Sequence, residues 1–220
     1  MRVALDFWPL LAQWRLLLLG IGWTVGLTII ATMLGGVIGI ACAFARAKGP
    51  RPLALLTAAY VEVIRNTPFI VQLFFIFFGL PAAGFKLTPL SASILAMTLN
   101  LGAYATEIIR AGILATPRGQ VEAGASLALS RFQIFTHVIL PPALKRVWPA
   151  LVSQIIIVML GSAVCGQISM EELSHVASLI QSRNFRAFEA YIVATALYLC
   201  LAILLRRLLS WAGPRFIFGR

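Results

Sequence analysis

Long uncharged stretches alternate along this chain with short polar clusters, most of them basic. A transmembrane helix needs about 20 apolar residues. On that scale the pattern predicts five spans, at about 16–45, 66–86, 87–110, 147–168 and 188–208. The first far exceeds the roughly 7–15-residue apolar core of a secretory signal, so it reads as a retained helix. Residues 53–64 are also apolar, but they are too few to cross and end in Glu62 and Arg65. They are expected either to lie at the membrane interface or to pack inside the bundle. One connection is much longer than the others, at about 111–146, between the third and fourth spans.

Composition narrows the class. The 220 residues are 60% hydrophobic and 11% charged, against about 25% charged in soluble domains. That excludes a water-soluble fold and a disordered tail, and leaves an all-α membrane protein with a single transmembrane domain spanning 1–220. The net charge of +11 does not point to nucleic acid, because the cations sit in clusters between apolar runs, where anionic headgroups hold them. Five of the 18 basic residues (Arg2, Arg15, Lys86, Arg183 and Arg186) fall on one side of the predicted topology and the other thirteen on the opposite side. By the positive-inside rule the N-terminus lies outside, the C-terminus is cytoplasmic, and the 111–146 loop is cytoplasmic. Cys42, Cys165 and Cys200 lie in apolar segments and read as small buried hydrophobes, not as a disulfide framework. His137 and His175 are too far apart to suggest a metal site by spacing.

Within the long loop, Pro117 and Gly119 are expected to break the preceding helix. Residues 120–130, rich in helix formers, are expected to make about three helical turns. A helix that short is marginal in water, so it must dock on something. Ile139-Leu140-Pro141-Pro142 is expected to end the next segment and re-aim the chain into the fourth span, because proline donates no backbone N–H. The residue pattern alone leaves two readings: a lever docked on a partner and fastened at both ends, or an interfacial amphipathic helix with no partner.

Several positions inside the spans carry smaller signals. Gly22/Gly26 and Gly35/Gly39 permit close backbone approach, either within the bundle or at a dimer seam. Thr24, Thr28 and Thr32 share one helix face and are expected to bond back to their own backbone. Glu62 with Arg65, and Glu107 with Arg110, have the spacing of helical surface pairs. Asn100, Gln154 and Ser162 are the polar intramembrane groups expected to line a pathway.

The stretch GQVEAGASLALSRFQIFTHVILPPALKRVWPAL resembles the EAA loop of ABC-importer permeases. The similarity is strongest to the polar amino-acid branch, the type I histidine, glutamine and glutamate permease-like family. The blocks Tyr60-Val61-Glu62-Val63-Ile64-Arg65-Asn66-Thr67-Pro68 with Gln72, and Ala103-Tyr104-Ala105-Thr106-Glu107-Ile108-Ile109-Arg110-Ala111-Gly112, resemble the same branch. The chain departs from the pattern at Gly124, where Ala is usual, and at Ala128, where Gly is usual. It departs again at Leu160-Gly161-Ser162-Ala163-Val164, where many relatives read Lys-Asp-Thr-Ser-Leu.

The resemblance implies a five-helix type I permease core with a short cytoplasmic coupling helix. Such a chain is the translocation subunit of an ATP-driven importer of a polar amino acid or a derivative. It implies an ABC ATPase dimer that binds ATP and Mg, an external solute-binding protein, and a second permease subunit, with a heterodimer favoured over a homodimer. The setting is the bacterial cytoplasmic (inner) membrane, with membrane lipid around the bundle. No G-x-x-x-x-G-K-[ST] phosphate loop occurs in this chain, so neither catalysis nor a cofactor of its own is expected. The ATPase-coupling positions implied are Gly119, Glu122, Ala123, Gly124, Leu127, Ala128 and Leu129: Glu122 against the ATPase groove, Gly119 and Ala128 in the turns, Leu127 and Leu129 as apolar contacts. The alternative is a self-contained secondary transporter or channel, which would need an ion or proton relay. The only carboxylates in or near the predicted spans are Glu62, Glu107 and Glu189, none with an obvious carboxylate partner.

Overall fold

A computed structural model of the chain describes residues 5–217. Arg2 and Arg220, both counted in the charge asymmetry, lie outside the described residues. The described residues are helical and contain no strand. A short α1 (Trp8–Leu11) leads into α2 (Trp14–Lys48), α3 (Arg51–Arg65), α4 (Phe69–Ala82) and α5 (Pro89–Leu114). After α5 come α6 (Arg118–Ser126), α7 (Arg131–Ile168), α8 (Leu173–Asn184) and α9 (Ala187–Ala212). Helices α2, α5, α7 and α9 are each long and apolar enough to cross a membrane.

The second expected span is different. Helix α4 runs only from 69 to 82 and meets α3 at a bend of 109°. At 1.5 Å per residue α4 reaches about 21 Å, short of the roughly 30 Å hydrocarbon core. The pair therefore makes one bent element where a straight helix over 66–86 was expected. Asn66-Thr67-Pro68 forces the break, since the residue before a proline avoids helical geometry. Helix α3 rests on the bundle along one face, while Leu55, Leu56 and Val63 on its other side are exposed. Thr57 and Val61 are buried, and the Tyr60 hydroxyl donates to the Leu99 carbonyl of α5 at 2.6 Å.

The helix that contains the expected fourth span, 147–168, begins well before it, at Arg131. Helix α7 passes through Pro141-Pro142 without stopping, because the turn before them, Ile134–Ile139, is wound as a π-helix. The wider turn shifts the hydrogen-bond register just where two consecutive residues offer no N–H. Thr136 Oγ1 donates to the Phe132 carbonyl at 2.9 Å in the turn ahead of them. The chain is re-aimed earlier, at Ala128–Ser130. There Ser130 caps α7 and exchanges hydrogen bonds with Gln133 in a capping box.

The core is held by close helix contact. Helix α2 packs against α5 more extensively than any other pair. A Cβ at Gly39 would lie 2.7 Å from Ala105 Cβ, and one at Gly35 would lie 3.0 Å from Leu101 Cβ. This glycine pair serves intramolecular packing, while Gly22 and Gly26 have open space beside them. The three threonines divide as well. Thr28 bonds back to the Thr24 carbonyl, Thr24 Oγ1 accepts the Leu173 amide of α8 at 3.2 Å, and Thr32 Oγ1 is buried with no hydrogen bond among the described residues.

Candidate functional site

Helix α6, nine residues long, is the exposed rod of the molecule. Pro117 starts it in an extended conformation, and its end is closed by a left-handed residue, Ala128, at φ 55°. The Leu129 amide donates to the Gly124 carbonyl at 3.3 Å, the six-to-one bond of a Schellman stop. Gly119 lies inside the first turn of α6 with open space beside it, so the entry turn belongs to Pro117 and not to Gly119. The helix is also shorter than the 120–130 expected, because the left-handed residue ends it at Ser126.

One face of α6 is seated and the other is bare. Gly124 is buried, and a Cβ there would come within 3.1 Å of Ile134 Cγ1. A small residue is therefore what lets α6 lie against the start of α7. Val121 and Leu129 flank it on an apolar cluster containing Ile113, Ile134, Phe135 and Ile139. On the outward side Glu122, Ala123 and Leu127 are exposed, Leu127 at 74%. Glu122 makes no ion pair among the described residues. A helix too short to be stable alone is thus fixed along one side and presents a carboxylate and a leucine on the other.

The ends of α6 are tied to the spans. Arg146 of α7 donates to the Ala115 carbonyl at the end of α5 at 2.9 Å. Above that, Glu107 is more than a helical surface partner: it pairs with Arg110 at 2.8 Å and with Arg46 of α2. Arg65 of α3 lies over the Tyr104 ring at 5.3 Å instead of pairing with Glu62. These contacts join α2, α3 and α5 at the end of the bundle that carries α6.

The three intramembrane polar residues have separate surroundings, and no hydrogen bond joins any two of them. Asn100 donates to Gln72 Oε1 at 3.1 Å, and the Gln72 amide donates to the Ile64 and Thr67 carbonyls. That amide pair satisfies the carbonyls freed at the α3–α4 bend. Gln154 is buried on α7 with no hydrogen bond among the described residues. Ser162 is fully buried, and its hydroxyl donates to the Met159 carbonyl at 2.7 Å.

One buried carboxylate escaped the sequence reading. Glu172, 0% exposed, caps α8 by accepting the Ser174 and His175 amides at 2.9 and 2.7 Å, and it accepts the Tyr198 hydroxyl of α9. Burial pushes its carboxyl above the usual carboxylate range, against the pull of those donors. The acidic residue ahead of a helical stretch at 173–184 was the available signal.

Comparison with known proteins adds to this geometry. A family model described as "Binding-protein-dependent transport system inner membrane component" matches residues 35–218. The chain is 38% identical over 201 residues to the L-cystine transport system permease protein TcyB of Bacillus subtilis (strain 168), covering 91% of this chain and 83% of that one. It is 35% identical over 200 residues to the glutamine transport system permease protein GlnP of Escherichia coli (strain K12), covering 90% of each. Among solved structures, a crystal structure of an amino acid ABC transporter with histidines superposes at a TM-score of 0.85 and 35% identity, covering 95% of this chain and 98% of that one. The inward-facing MetNI methionine ABC transporter shares the fold, with a TM-score of 0.74 at 23% identity over 95% of this chain and 99% of that one.

Proposed function

Since the chain belongs to the family of binding-protein-dependent transport system inner membrane components, we propose that α6 is where this importer permease receives work from its ATPase. The chain is the non-catalytic membrane subunit of an amino-acid ABC importer, and the reading as a self-contained carrier or channel is set aside. Its cargo is a polar amino acid or a close derivative, handed over by an external solute-binding protein, as the glutamine and cystine systems of its relatives suggest.

The observation that carries this reading is the half-seated α6. A two-state bundle is shifted only by a partner that binds its two states with different free energy. Closure of an ATPase dimer around the bare face, with Glu122 against its groove, displaces a rod fixed to α7 through Gly124 and Ile134. The ends of α5 and α7 move with it, since Arg146 links them. Ala123 and Leu127 complete the outward contact surface, while Ala128 and Leu129 hold the turn.

Two such permeases enclose the pathway, and we favour two different chains. Leu160 is 43% exposed and a Cβ on Gly161 would meet nothing within 4 Å. The segment where many relatives carry Lys-Asp is therefore open toward a neighbour, which would supply the polarity this chain lacks. Gln154, whose side-chain amide makes no hydrogen bond among the described residues, is the leading ligand-contact candidate. Asn100 and Ser162, already bonded, follow it. The N-terminus lies outside and the C-terminus in the cytoplasm, on the basis of the charge asymmetry.

The test is reconstitution of this permease with the ATPase, second permease and binding protein encoded beside it. ATP hydrolysis is then measured with a panel of amino acids. Stimulation by one polar amino acid, accompanied by its ATP-dependent uptake into proteoliposomes, is the expected result. ATP-independent uptake by this chain alone would overturn the reading.

A further inference from the structure

A crevice of about 550 Å³ lies between α7 and α9 at the end of the bundle that carries α6. Lys145 enters it from α7 and Arg206 from α9, and no acidic side chain lines it. Both cations are exposed, and neither forms an ion pair among the described residues. Their neighbour Arg146 is different, since it is spent on the Ala115 carbonyl. The floor is held in place by Trp148, whose indole N–H donates to the Leu209 carbonyl at 3.0 Å. Ser210 adds a hydroxyl to the lining. Pro149, also in the lining, has no N–H to give the Lys145 carbonyl, so that oxygen loses its helical donor.

We propose that this crevice binds the headgroup of an anionic phospholipid of the inner leaflet. Two cations from different helices, facing the same space without a carboxylate, match a phosphodiester between them. The Ser210 hydroxyl is placed to accept from or donate to headgroup hydroxyls of the glycerol type. Along the bundle from this end, the outer faces of both helices are apolar, with Ile157 on α7 and Leu199, Ile203 and Leu204 on α9 exposed, as acyl chains require. Basic pockets between transmembrane helices on the cytoplasmic side are suited to such headgroups. A lipid seated there bridges α7, which carries the rod, to α9.

This inference rests on the orientation proposed above, and the two are tested separately. The complete transporter is purified and titrated, in native mass spectrometry, with phosphatidylglycerol and with phosphatidylcholine of the same chains. The expected result is selective retention of phosphatidylglycerol. The Lys145→Gln/Arg206→Gln double variant should bind it at least about tenfold more weakly, as loss of two near-surface cations implies. An Arg118→Gln/Arg131→Gln variant, which removes two cations from elsewhere on the same end, should retain the selectivity. Thermal unfolding of the variants identifies any that misfold, and the single Lys145→Gln and Arg206→Gln variants then replace the double. Equal retention of both lipids would overturn the assignment, as would undiminished binding by the double variant. So would a cysteine cross-link from position 206 to the second permease, which would show the crevice to be a subunit interface. Labelling of Ser210→Cys by an impermeant maleimide added to intact cells would instead overturn the orientation, whatever the lipid titration shows.

Discussion

Ala128 adopts left-handed backbone geometry, φ 55°, at the position where the family loop has glycine. An L-residue other than glycine in this region costs about 1–2 kcal/mol, partly offset because alanine has fewer unfolded conformations to lose. Ala128→Gly is therefore expected to stabilise the folded permease by up to about 1 kcal/mol, read as a higher midpoint in thermal unfolding of the purified complex. A lower midpoint would mean that the turn is held by something other than its backbone. Gly124 makes the complementary case. The family's alanine there would press on Ile134, so the two departures in this loop are a small residue where helix meets helix and a strained one where the helix stops. The resemblance located both positions, but only the backbone angles and the packing distance show what each does.

Elements were legible where periodicity and length acted alone and less so where side chains rescued a broken backbone. Long apolar runs marked α2, α5 and α9 clearly. The start of α7 was written in Ser130-x-x-Gln133, a capping box, but Pro141-Pro142 gave the stronger apparent signal and pointed the wrong way. Nothing local announces a π-turn that absorbs two prolines. The α3–α4 bend was visible as a proline break, whereas Gln72 and Asn100, which satisfy it, come from different helices. Glu172 was hidden for a similar reason, since its burial depends on Tyr198 of α9 and Thr24 of α2 closing around the start of α8. Its carboxyl, raised by burial, binds a proton more tightly in the folded state than unfolded. Between its unfolded and folded pKa values the folded state holds more protons, so stability falls as pH rises. The groups facing it are Tyr198, His175 and the Ser174 and His175 amides. Glu172→Gln should flatten the decline in thermal midpoint as pH climbs above about 4.5, the ordinary value for such a carboxyl. An unchanged slope would place the titration elsewhere.

At the scale of the molecule, the bundle is a set of spans tied together near one end. Arg46, Glu107 and Arg110 bind α2 to α5, Arg65 brings α3 onto Tyr104, and Arg146 joins α5 to α7. Helix α6 sits at that end between α5 and α7, so a push on it is delivered to helices already coupled to each other. Fold class and transport role were readable from hydropathy, charge asymmetry and the loop blocks together. The pathway was not, because polar groups such as Ser162 turn out to be satisfied within their own helix.

The coupling proposed for α6 is tested most directly at Glu122 on its bare face. The measurement is ligand-stimulated ATP hydrolysis and uptake by the reconstituted transporter carrying Glu122→Lys, with expression and membrane insertion held at the parent's level. Loss of ATPase capture, or of uptake by at least about tenfold through removal of one charge-assisted contact, is the predicted result. Assembly and uptake indistinguishable from the parent would contradict it.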